Sequence, residues 1–212
     1  ERLQRTLEEG GPLLRPYVDR RRLETAADAW FERGDETQAE AVLQAARSLE
    51  KFGFSSTLVP VDRDGLIDPE EVRRAIRKET VLVSVMLANS EVGTIEPLAE
   101  IGRVCRAAGV PLHTDAVAAV GAIPVDVGAL AVDALSLAGD QFYGPQGAAA
   151  LYVRQGVRLL PVIDGGIQEG GRRGGTENVL AIVGLGQAAE TAALKLGERA
   201  AALTVLRDRL IG

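Results

Sequence analysis

Cysteine, histidine and lysine are all scarce in this chain. Cys105 is its one cysteine and His113 its one histidine. A lone cysteine excludes an internal disulfide and a multi-cysteine zinc cluster. The expected place for Cys105 is the buried side of a helix, as a small apolar residue. Lys51, Lys78 and Lys195 are the only three lysines, so any covalent amine chemistry must pass through one of them. There is no unbroken run of about 18 apolar residues, which predicts no membrane-spanning segment. The opening residues Glu1-Arg2-Leu3-Gln4-Arg5 lack the apolar stretch of a secretion signal. Net charge is −6, so bulk electrostatics favour neither nucleic acid nor an anionic membrane as a partner. The cluster Arg20-Arg21-Arg22 is flanked by Asp19 and Glu24 and reads as a solvated helix face. A reducing, cytoplasmic setting is the expectation.

What is present is an alternating pattern. The chain's 212 residues suit one large domain, or one domain with an appendage. The first 53 positions have helix-forming composition, over Glu24–Arg33 and Thr37–Lys51, with a break at Gly34-Asp35. Ala41, Leu43, Ala46 and Leu49 supply small and apolar groups near helical spacing. Strands then alternate with helices. Ser56–Val61 reads as a short strand. Asp68 caps a helix with Pro69 in its first position and Glu70-Glu71 in its first turn, where the dipole favours carboxylates. Val81–Ala88 is a nearly continuous apolar strand, the type buried on both faces of a parallel sheet. Pro97–Ala108 is a helix ended by Gly109, and Val110–Thr114, Asp133–Ala138 and Ala148–Val153 are further strands. A long helical stretch, Val179–Leu210, has a possible break at Gly197.

Such alternation predicts βαβ units and a mainly parallel sheet between helical layers. Ligands bind such sheets at the carboxyl ends of the strands. That directs attention to Asn89-Ser90-Glu91, to Asp115 and to Asp140-Gln141.

The stretches around those ends carry specific motifs: LANSEVGTIEP from Leu87, LHTDAVAAVGAIPVDV from Leu112, LSLAGDQFYGPQGAAALYV from Leu135, and QEGGRRGGTENV from Gln168. Together they resemble the cysteine desulfurases of iron–sulfur-cluster assembly, within the class V aminotransferases. The likeness runs from near Glu40 to about Ala193. It implies a three-layer α/β/α fold, the fold type I large domain of pyridoxal phosphate (PLP) enzymes, over residues 36–212. Residues 1–35 are expected to be a divergent helical segment, and the family's N- and C-terminal regions are expected to be absent.

The resemblance also implies a set of roles. A lysine bonds covalently to PLP, a carboxylate holds the pyridine nitrogen, a histidine stacks on the ring, and polar groups hold its hydroxyl and phosphate. A late cysteine takes the sulfur. Matched position by position, most of these groups are replaced. The family's Ser-Gly-His-Lys reads Ala138-Gly139-Asp140-Gln141, so Ala138 and Asp140 stand at phosphate-binding positions and Gln141 at the lysine. Ala39 falls on the stacking histidine, Ser90 on the second Asn of Asn-Asn-Glu, and Ala118 on the Gln three residues after the pyridine-binding Asp. Two positions match: Asp115, for the pyridine nitrogen, and Thr176, for a phosphate contact made across a dimer.

An amide nitrogen is not nucleophilic, so Gln141 does not replace the lysine, and a carboxylate at Asp140 repels phosphate. No covalent cofactor and no catalytic residue are expected. The expected protein is a desulfurase-like scaffold without its chemistry, acting as a structural or regulatory partner, as a homodimer or beside a desulfurase-like paralogue. Two alternatives stand beside this reading: an active enzyme completed by a partner chain, and an inactive fragment. Taken without the resemblance, Asp115 is equally a satisfied polar residue at a strand end, and His113 a packing and hydrogen-bonding group.

Overall fold

The computed structural model describes residues 22–25 and 39–212. The described residues form two compact units, one up to Thr114 together with Gly128–Val132, the other Asp115–Val127 together with Asp133–Gly212. The boundary expected at residue 35, and most of the helical segment expected before it, lie outside the described residues.

In the first unit the strands run in the order β2 (Ser55–Leu58), β1 (Arg22–Thr25), β3 (Thr80–Met86), β4 (Leu112–Asp115). β1 lies parallel to both β2 and β3. Helical composition predicts a helix through Glu24, and the structure corrects this: the four residues Arg22–Thr25 are a strand. Pairing on both edges outweighs a weak local propensity in so short a segment.

Helix α1 (Ala39–Glu50) buries Leu43 and Ala46, two members of the apolar stripe. Asp68 caps α2 (Pro69–Ala75), accepting the Glu70 N–H at 2.8 Å. β3 buries Val83 and Val85, as expected of an interior strand. Helix α3 (Leu98–Ala108) buries Leu98, Ile101 and Val104, and Cys105 beside them. It ends at Gly109, whose φ of 70° is a left-handed cap that glycine adopts without strain. His113 accepts from or donates to the Ser84 hydroxyl through Nδ1 at 2.8 Å, a bond between adjacent strands.

In the second unit β5 (Ala134–Ala138) pairs antiparallel with β6 (Ala149–Val153), Ala134 opposite Val153 and Ala138 opposite Ala149. A 3-10 turn, Gly139–Phe142, follows β5. The long helix α4 runs unbroken over Val179–Ile211. The possible break at Gly197 does not occur, because one helical glycine costs only about 1 kcal/mol against a helix of this length. α4 is also long and apolar enough to cross a membrane by length and composition, with a mean hydropathy of 1.4 in its best window. Glycines, Gln187 and the charged Glu190, Lys195, Glu198 and Arg199 interrupt its apolar runs, yet Ala, Leu and Val keep the average high.

Candidate functional site

The second unit gathers most of the positions singled out in the sequence. Asp115 ends β4, and the chain then turns through Ala116–Val120, with Ala119 and Val120 both donating to the Ala116 carbonyl. The Asp115 carboxylate accepts the Val117 N–H at 2.9 Å, which fixes its side chain in a local turn. The Ala116 N–H donates to the Ser136 carbonyl at 2.9 Å, so the start of this turn lies alongside β5. Ala118 is half-buried in this turn and has only a methyl group to offer.

The turn after β5 holds Ala138, Asp140 and Gln141. Backbone and apolar contacts shape it. Gly139 donates to the Ala148 carbonyl at 3.1 Å and Gly144 to the Gly139 carbonyl at 2.8 Å, while Phe142 is buried. A Cβ on Gly121 would stand 2.7 Å from the Phe142 Cβ, and one on Gly184 of α4 would stand 2.4 Å from the Pro145 ring. Only glycine permits these close approaches. Tyr143 takes a left-handed conformation at φ 71°, which is strained for a residue with a side chain. Asp140 and Gln141 are both exposed.

Arg199, on α4, lies over the Tyr143 ring at 4.7 Å from its centroid. This cation–π contact adds a cation to the side of the turn. Sequence reasoning missed it, since the two residues are far apart in the chain and nothing in their local spacing marks the pair.

Thr176 is exposed on the Gly-rich segment that precedes α4. That segment is pinned where Gly174 donates to the Ile163 carbonyl at 2.8 Å and where the Asn178 side chain caps α4 through the Ala181 N–H. Ser90 belongs to the first unit and is exposed; its neighbour Asn89 is buried and shapes the loop after β3. Its Oδ1 accepts the Glu91 and Val92 N–H groups at 2.8 and 3.0 Å. Ala39 is the first residue of α1.

A family model described as "Aminotransferase class-V" matches residues 32–208. The chain belongs to the class V aminotransferase family. The match runs through nearly all of α4, so that helix is part of the family domain. Among curated relatives, the cysteine desulfurase IscS of Dictyoglomus turgidum is 48% identical over 171 residues, which are 81% of this chain and 43% of that protein. The IscS of Methanosarcina thermophila is 50% identical over 171 residues, 81% of this chain and 42% of that protein. Among solved structures, a NifS-like protein superimposes with a TM-score of 0.83 at 36% identity, covering 99% of this chain and 54% of that one. DndA from Streptomyces lividans gives a TM-score of 0.80 at 32% identity, covering 98% and 58%. The chain therefore spans less than half the length of these curated relatives. The fold is the α/β large domain of fold type I, with a mainly parallel sheet, as the motifs imply, and pyridoxal phosphate is the cofactor of the family.

Proposed function

We propose that this chain retains a cysteine desulfurase scaffold without the covalent cofactor chemistry, and that it works in the cytoplasm as a structural or regulatory partner in iron–sulfur cluster assembly. It does so as a homodimer or paired with a desulfurase-like paralogue. The observation that carries this reading is the turn after β5, where Gln141 takes the place of the amine.

The residues present do not fit covalently bound pyridoxal phosphate. Gln141 offers an amide, which is no nucleophile toward an aldehyde. Lys51 and Lys78 lie in exposed turns after α1 and α2, and Lys195 is exposed on α4. None of the three follows a strand, where ligands of such sheets are held. Ala138 and Ala118 have no polar atom for a phosphate or a ring hydroxyl, and Asp140 places a negative charge beside a site for an anion. Asp115 keeps the carboxylate that suits a pyridinium, and Thr176 keeps a hydroxyl, but neither supplies a reacting group.

The Gly-rich segment Gly165–Asn178 supports association, since it is polar, glycine-rich and largely exposed. Sulfide release from cysteine, measured with added pyridoxal phosphate, tests the chemistry; the expected result is none above the protein-free rate. Sedimentation at micromolar concentration tests association, with a dimer or a complex with a desulfurase expected. Sulfide release by the unaltered chain alone would contradict the reading.

A further inference from the structure

Among the described residues of the first unit, Glu96 is the one carboxylate that the fold buries, at 5% exposure, and the proposed function leaves it unused. It sits where two turns meet. The first runs from Asp62 to Ile67: Asp62 donates to the Leu66 carbonyl at 2.9 Å, and its side chain accepts the Asp64 and Leu66 N–H groups, each at 2.9 Å. The second is the loop after β3, in which Asn89 donates to the Thr94 carbonyl at 2.9 Å and Gly93 to the Asn89 carbonyl at 3.0 Å.

Each turn is stiff within itself, and side chains join them. The Thr94 hydroxyl donates to the Asp64 carbonyl at 2.7 Å, on the exposed side. On the buried side the Ile67 N–H donates to Glu96 Oε2 at 3.0 Å, while the Glu96 N–H donates to the Leu87 carbonyl at 3.0 Å. The inner tie therefore rests on an ionisable group with little access to water.

We propose that Glu96 is a protonation-controlled latch, which holds the Asn89–Gly93 loop against the Asp62–Ile67 turn when neutral and releases it when ionised. A neutral carboxyl still accepts the Ile67 N–H through its carbonyl oxygen and costs little to bury. An ionised one must lose hydration, and one hydrogen bond from a backbone N–H does not offset that.

The charged groups around it do not help. The Asp62–Ile67 turn brings Asp62, Arg63 and Asp64, of which Asp62 opposes ionisation of Glu96 and Arg63 pairs with Asp64 at 3.5 Å on the surface. Asp68, next in the chain, is committed to the Glu70 N–H. On the Glu96 side Glu91 and Glu100 add only negative charge and are exposed. Burial, with the Asp62 charge, raises the Glu96 carboxyl to about 7, so the latch works near neutrality. The inference goes beyond the loss of cofactor chemistry and does not depend on it, since it concerns how the loop carrying Asn89 and Ser90 is held.

The test is amide hydrogen exchange followed by NMR on the whole chain from pH 5.5 to 8.5, with rates corrected for base-catalysed intrinsic exchange. Protection of the Ile67, Gly93 and Glu96 amides is expected to fall about 30-fold between pH 5.5 and 8.5, the part of the raised carboxyl's effect that lies in that range. In Glu96→Gln, which keeps the acceptor and removes the titration, the fall should vanish. In Asp62→Asn, which keeps the turn's acceptor, the midpoint should move to lower pH. This second variant carries the test if Glu96→Gln does not fold. Flat protection in the unaltered chain overturns the latch, as does a fall that survives in Glu96→Gln or a midpoint unmoved in Asp62→Asn.

Discussion

The loop after β3 and the turn after β5 both follow strands, yet their polar side chains do different work. In the loop after β3, Asn89, Thr94 and Glu96 hold the backbone in shape through hydrogen bonds to main-chain groups. In the turn after β5, the backbone and buried Phe142 set the shape, and Asp140 and Gln141 point to solvent-exposed positions. Residues that build a loop cannot change without unfolding it. Residues that serve only a ligand can, and on the proposed reading the exposed Asp140 and Gln141 are of that second kind. On the proposed reading, fold and chemistry are thus separable.

That contrast breaks most visibly where backbone approaches are tightest. Gly121→Val should destabilise the chain by about 3 kcal/mol, from a left-handed φ of 80° and a clash with Phe142. Urea unfolding followed by circular dichroism measures it; a change near zero means the turn after β5 is not packed on the Ala116–Gly121 turn. Asn89→Ala is next. It leaves the Glu91 and Val92 N–H groups without their acceptor, which should cost about 2 kcal/mol in the same titration.

The pH dependence of global stability follows from Glu96. Its carboxyl is raised from 4.5 to about 7 in the folded chain, so the folded state holds a proton that the unfolded state has released. The contribution is complete below about pH 4.5 and is lost as pH rises through about 7. The unaltered chain should therefore lose about 2 kcal/mol relative to Glu96→Gln between pH 5 and pH 8. Equal slopes for the two proteins would remove Glu96 as the cause. The smallest effect belongs to the other region: Gln141→Ala should change stability by no more than about 0.5 kcal/mol, as for exposed residues without structural partners.

Much of the fold was legible because its signals are local. Asp68 with Pro69 marks a helix start, Gly109 a helix end, and the Val81–Ala88 run an interior strand; each is found within a residue or two of its expected place. Arg22–Thr25 was not legible, because a four-residue strand paired on both sides is decided by its neighbours rather than by its own composition. The site positions were legible only through motifs, since nothing in the spacing of Ala138, Asp140 and Gln141 names a ligand. Glu96 was hidden for another reason: a glutamate before a proline reads as a surface residue, and its burial depends on the Asp62–Ile67 turn about thirty positions earlier.

The central claim is that the turn after β5 has lost its amine while the scaffold around it persists. It is tested most directly by borohydride reduction after incubation with pyridoxal phosphate, on the unaltered chain and on Gln141→Lys with Asp140→His, followed by mass spectrometry. The account predicts no stoichiometric label on Lys51, Lys78 or Lys195 of the unaltered chain, and a weak label at position 141 of the double variant. Labelling is weak there because Ala118 and Ala138 still offer the cofactor no polar contact. A stoichiometric label on any native lysine would contradict it, and no label at position 141 even at millimolar cofactor would show that the turn has changed shape along with its chemistry.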